Sequence, residues 1–260
     1  MRINCLFVSF LLAIASHAQD TFQLASPFIK HPTIFFDDNI SIPIVFAHPG
    51  ATIRYTLNDQ VPNRKSALYK KPVLISKNMT TLKARVWAEG FSPSDVSEVT
   101  FIKSGLPVSV SFPSPSPYYK GNGPATLFDN EGGIADPNSV TWLGYNADSV
   151  CFIIKLQQHT PVNKVLIHVL QNQGAWIFSP YKAAVYTFDN FNKKFELQPS
   201  GNLAIPSTTQ APAKCQVFEI DLKNIKTDQL KLILYNTQIP EWHPGSGQQA
   251  WLFIDEIKVY

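Results

Sequence analysis

Charge is scarce in this chain: 16% of its 260 residues are Asp, Glu, Lys or Arg, and the formal net charge is +3. The basic residues are scattered along the sequence, so the footprint of a nucleic-acid binder is missing. Beyond the N-terminus no apolar run is long enough to span a bilayer. No Gly-rich phosphate loop is present. His31, His48, His159, His168 and His243 lack the His-x-x-x-His spacing of a metal motif. Pro244-Gly245-Ser246-Gly247 lacks the spacing of a nucleophile elbow and is turn chemistry. Helical periodicity is absent between the strand-like runs, which argues against a parallel α/β scaffold. Cysteine is rare too, at three residues.

What is present begins with a leader. Arg2 precedes an apolar run from Cys5 to Ile14, followed by Ser16-His17-Ala18, with small residues where a signal peptidase reads. Residues 1–18 are therefore expected to be a signal peptide, and the protein to be exported, to the periplasm or beyond the cell. Cys5 lies too early, after Arg2-Ile3-Asn4, for lipid attachment. Past the leader Cys151 and Cys215 remain; in an oxidising compartment they form one disulfide or stand as two buried thiols. The remaining length, about 240 residues, suits one large domain or two ordinary ones. Twenty prolines and eighteen phenylalanines point to β-structure with many turns.

A first unit is expected over 28–103. Its strand candidates are 40–46, 52–57, 73–75, 81–87 and 97–102, separated by Pro, Gly and Asn. In Thr81-Leu82-Lys83-Ala84-Arg85-Val86-Trp87 apolar and polar residues alternate at period two, as a half-buried strand requires. Such a set makes an immunoglobulin-like sandwich, with Tyr55 and Trp87 most simply core aromatics. The run Ile53-Arg54-Tyr55-Thr56-Leu57-Asn58-Asp59-Gln60-Val61-Pro62, with Ser66-Ala67-Leu68-Tyr69 and Pro72-Val73, resembles the chitobiase/β-hexosaminidase C-terminal domain. That family is an accessory sandwich of glycosidases without catalytic residues. Asn58-Asp59 replaces its usual Asp-Gly.

Residues 104–117 contain Phe112-Pro113-Ser114-Pro115-Ser116-Pro117, an extended, semi-rigid Pro/Ser linker, with Val108–Phe112 as a candidate edge strand. A second unit follows over 118–260, with strand candidates 150–156, 162–170, 181–188, 216–222, 229–236 and 251–259. Antiparallel strands in that number suggest a jelly-roll sandwich. Gly121-Asn122-Gly123, Leu127-Phe128-Asp129-Asn130, Trp142-Leu143-Gly144-Tyr145, Trp176-Ile177 with Pro180, and the terminal hairpin resemble the discoidin-like (coagulation factor 5/8 type C) domain. The resemblance is nearest to the version at the C-terminus of family 20 glycoside hydrolases, here without the catalytic barrel. The expected fold is all-β: an immunoglobulin-like sandwich, then a discoidin-like jelly roll.

By the discoidin-like resemblance, Asp129 and Glu256 are ligands of a structural calcium, with Thr141 and loop carbonyls helping; a solvated acidic turn is the alternative. Asp255-Glu256 matches the acidic pair that family 20 hydrolases use, but neighbouring side chains of a regular strand point to opposite faces. The pair is therefore expected to be non-catalytic. Sugars stack CH-rich faces on aromatic rings and need a few fixed polar partners. In discoidin-like sugar-binding modules the loops at one end of the sandwich supply both; by that resemblance Trp176, Trp242 and His243 lie in such loops, and Trp142 joins them or packs beneath. The same aromatics can instead plug the end of the sandwich.

The sequence thus favours an exported, non-enzymatic carbohydrate-binding or accessory module. Its expected partner is a glycan or glycoconjugate, beside a glycoside hydrolase or other protein. A structural adaptor and a truncated family 20 hydrolase are the competing readings.

Overall fold

The computed structural model describes residues 22–199, 203 and 211–260; the expected signal peptide lies outside the described residues. Nine short strands make the first unit: β1 (Phe28–Ile29), β2 (Phe35–Phe36), β3 (Ile40–Ile42), β4 (Ile44–Val45), β5 (Thr52–Thr56), β6 (Ala67–Leu68), β7 (Val73–Ile75), β8 (Thr80–Trp87) and β9 (Ser97–Lys103). The five-stranded sheet runs β2-β9-β8-β5-β6, and β1 pairs β4 while β3 pairs β7. Ile29, Ile42, Ile44, Val73 and Ile75 from the two small sheets pack against Phe36, Leu82, Ala84 and Phe101 of the larger one. Period two in β8 is realised as written: Leu82, Ala84 and Val86 are buried, and Lys83 and Arg85 are not. Pro43 splits the strand expected over 40–46 into β3 and β4, since it has no N–H to give to a ladder. Asp59 takes φ +66°, left-handed backbone that Asp tolerates better than most residues with a side chain.

The second unit contains β10 (Val108–Ser111), β11 (Leu143–Tyr145), β12 (Ser149–Gln171), β13 (Lys182–Asp189), β14 (Lys194–Leu197), β15 (Lys214–Tyr235) and β16 (Leu252–Val259). The edge strand expected over Val108–Phe112 is present, as Val108–Ser111 pairs with Ile153–Leu156. Two pairs of expected strands are each one long strand, β12 and β15, antiparallel along almost their whole length. The ladder shifts register between Lys155 and Thr160, which lets the ribbon absorb Pro161. One half of the ribbon carries β10, β13 and β14; the other half carries β16 and β11. Phe152, Ile154, Leu232 and Leu234 from the first half meet Val165, Ile167, Leu252, Ile254 and Ile257 from the second in one core. The result is a β-sandwich jelly roll. Cys151 opposes Ile233 and Cys215 opposes Leu170, near opposite ends of the ribbon, and both thiols are free. Among the described residues no helix is long and apolar enough to cross a membrane.

Strict alternation fails in β16. His168 pairs Glu256 and Val169 pairs Ile254, which leaves Asp255 as the extra residue of a β-bulge. Ile254 and Ile257 both enter the core, so Asp255 and Glu256 lie together on the other face. That face is covered by the first unit: Phe35, Ile102 and Leu166 form a buried cluster with Ile34, Met79, Val217 and Tyr260 against it.

Candidate functional site

Two loops at one end of the jelly roll hold the expected aromatic residues. A single 3-10 turn, Gln173–Ala175, is started by Asn172, whose side chain accepts from the Ala175 amide. It ends on Trp176, in left-handed backbone with φ +63°. For a bulky residue that conformation is costly, of order 1–3 kcal/mol, and persists only where its surroundings over-determine it. Here the Trp176 amide donates to Gln173 O at 2.9 Å, and its carbonyl accepts from the Trp251 amide at 2.9 Å. The second loop runs through Pro240–Gly247 and closes with Gly247 N donating to Ile239 O at 3.0 Å. Gly247 has φ +81°, the left-handed region that glycine enters freely.

His243 fastens the two loops. It is 6% exposed. Its Nδ1 accepts from the Gly245 amide at 3.0 Å, which leaves Nε2 to donate to Gln173 O at 2.9 Å. The Trp176 indole lies over Gly245, where an added Cβ would meet the ring at 3.1 Å. Around His243 stand Trp176, Phe178 and Trp242, with ring centroids 6.2, 5.8 and 5.5 Å away. Trp176 and Trp242 are half-buried.

Trp142 does not join them. It is 1% exposed, stacks on His168 at 5.5 Å and donates its Nε1–H to Ile134 O at 3.1 Å. Both of its faces and its polar handle are used internally, so of the two expectations for this residue the structure has it packed beneath. His243 likewise has no ring nitrogen left for a ligand and serves to position the indoles.

The acidic face of β16 makes a second polar cluster, at the junction of the two units. Asp255 is 0% exposed; Oδ1 accepts from His168 Nδ1 at 2.6 Å and Oδ2 accepts from the Gly133 amide. Burial pushes the Asp255 carboxyl above the usual carboxylate range, while His168 and the Gly133 amide draw it back. Glu256 is raised by burial, with the Lys258 ammonium opposing; the charges of Asp255 and Asp129 add to the rise. The bulge therefore overturns the expectation that the two acids point to opposite faces, although each is occupied by an internal partner. A cleft of about 470 Å3 between the units reaches His168 and Cys215. Burial pushes the Cys215 thiol up to about 12, so it stays protonated and donates to Gly133 O at 3.4 Å instead of acting as a nucleophile.

The residues expected to hold calcium do not suit that ion as they stand. Calcium takes six to eight oxygens. Thr141 Oγ1 shares a hydrogen bond with Ser139 Oγ at 3.0 Å, Asp129 Oδ1 accepts from the Glu131 amide at 2.9 Å, and Glu256 faces Lys258. Among the described residues no three His, Cys, Asp or Glu side chains converge as a metal set.

Comparison with known proteins adds the following. The Fn3 associated family model matches residues 42–101, inside the first unit. Among curated proteins nothing matches. This chain is similar to a fucose-binding module of Streptococcus pneumoniae, at 15% identity over 60% of this chain and 95% of the module, with a TM-score of 0.39. It is also similar to a family 32 carbohydrate-binding module from a Clostridium perfringens family 31 glycoside hydrolase, at 15% identity over 60% of this chain and 96% of that one, TM-score 0.38. A Ruminococcus gnavus family 29 fucosidase is similar at 15% identity over 59% of this chain, TM-score 0.37, and the match spans 25% of the fucosidase.

Three participants escape a reading of the sequence. Gln173 is buried, and its carbonyl and side chain receive His243 Nε2 and the Ala211 amide; nothing in a lone glutamine announces this. His168 does face outward from the jelly-roll core, yet Phe35 of the other unit covers it at 5.4 Å. Lys258 is buried beside Glu256, and its place at i+2 of an acid on one strand face is the signal that was available.

Proposed function

We propose that this chain is an exported, non-catalytic module that binds carbohydrate through the loops 172–177 and 239–250. The observation that carries this reading is the pair of half-buried tryptophans, Trp176 and Trp242, set around a buried His243. Apolar ring faces fixed in place offer a sugar a stacking surface at little entropic cost. Glu241, Ser246 and Gln248 are exposed on the same loop and supply hydrogen-bonding groups beside it. The absence of a free catalytic acid pair on β16, where Asp255 and Glu256 are buried and partnered, supports a binding role over hydrolysis. The sequence resemblances to hexosaminidase-type accessory units favour a place beside a glycosidase.

Isothermal titration against glycans containing N-acetylglucosamine or galactose tests this. Trp176→Ala and Trp242→Ala should each weaken binding about tenfold while the far-ultraviolet circular dichroism is unchanged. Silence of the native protein across those glycans would count against the reading.

A further inference from the structure

The Lys258 ammonium lies 2.7 Å from Glu256 Oε2 and 2.6 Å from Asn130 Oδ1. It also stands 5.0 Å from the centroid of the Phe35 ring, within cation–π range. Three segments thus meet on one cation: the last strand, the 129–136 loop and β2 of the first unit. Lys258 is 6% exposed and Glu256 1%. Glu256 has an ion pair here but no aligned hydrogen bond to either oxygen. Asn130 holds φ +66°, and its amide also donates to Asp37 Oδ1 at 3.0 Å, while Thr33 Oγ1 donates to Asn130 O at 2.9 Å.

We propose that the Lys258 ammonium does in this chain what a bound structural cation would do: it compensates Glu256, takes the Asn130 side-chain oxygen, and fastens the jelly roll to the first unit. An ammonium brings one positive charge and three donors; here it pairs with the Glu256 carboxyl, donates to Asn130 Oδ1 and faces the Phe35 ring. A divalent cation at Glu256 would sit within a few ångströms of that ammonium and repel it, and this donor set is short of the oxygens calcium needs. Access is not the obstacle, because a cleft of about 320 Å3 lined by Asp37, Ser104, Asn130 and Lys258 opens onto the position. The junction is therefore independent of calcium. This inference is separate from the glycan reading and stands or falls without it.

The test is thermal unfolding of the whole protein in EGTA and in calcium chloride, with calcium titrated calorimetrically. The native protein should give the same Tm in both and no binding heat. Lys258→Met should lower Tm in EGTA by about 10 °C, because it leaves a buried acid without its cation. Adding Glu256→Gln to that variant should recover part of the loss. A calcium-raised Tm or a calcium-binding isotherm in the native protein would overturn the proposal. So would a Lys258→Met protein as stable in EGTA as the native one. Should Lys258→Met not fold, the native titration still decides.

Discussion

His243 illustrates how one side chain sets a surface it does not itself present. Both ring nitrogens are spent on backbone groups of two loops, Gln173 and Gly245. Replacing it by alanine takes the side-chain acceptor from the buried Gly245 amide and leaves Gln173 O with the Trp176 amide as its donor, a loss of about 1–3 kcal/mol. His243→Ala is expected to lower Tm by about 2–10 °C in calorimetry and to weaken glycan binding through disorder of Trp176 and Trp242. A variant with native Tm would show that the loops are held by other contacts. At this scale the discoidin-like resemblance put Trp242 and His243 in one end loop and Trp176 in another, and in the structure the three rings stand around one another. It left the role of Trp142 open, because burial depends on His168, which another strand brings against the indole, and on the loop that returns Ile134 O to its N–H.

Strand β16 teaches a different lesson. The run Ile254-Asp255-Glu256-Ile257 puts its two isoleucines three apart, one more than a flat strand allows if both are to reach the core. The spacing was legible as a bulge, and the assumption of regular alternation hid it. The bulge places both acids on the covered face, where burial raises both carboxyls. Unfolded carboxyls titrate near pH 4, so above that range the folded state holds protons that the unfolded chain has released. The contribution is fully present at low pH and is lost as pH rises. Tm should therefore be higher at about pH 5 than at about pH 8, and Glu256→Gln should flatten that slope. A slope unchanged in that variant would remove Glu256 as its source. Long strands were harder to foresee. The strands expected over 150–156 and 162–170 leave Pro161 between them, whereas a register shift carries β12 past it into a continuous ribbon.

Over the whole molecule, the sequence yielded the all-β class but not how the sheets meet. The Pro/Ser stretch suggested a connector; its Val108–Ser111 portion is an edge strand, and Phe112 packs on the jelly-roll core. Phe35, Ile102, Leu166 and the Thr33–Asn130 and Tyr260–Lys103 hydrogen bonds then join the units. Such contacts need residues from both ends of the chain and leave no local pattern. The consequence for function is that the aromatic loops sit on a supported scaffold, with the polar junction at another place on the same jelly roll. The most direct test follows the indole N–H signals of the five tryptophans by NMR during glycan titration. The account predicts that Trp176 and Trp242 shift with saturation while Trp142, held to Ile134 O, stays put. Shifts confined to Trp87, Trp142 or Trp251, or no shift with any glycan, would contradict it.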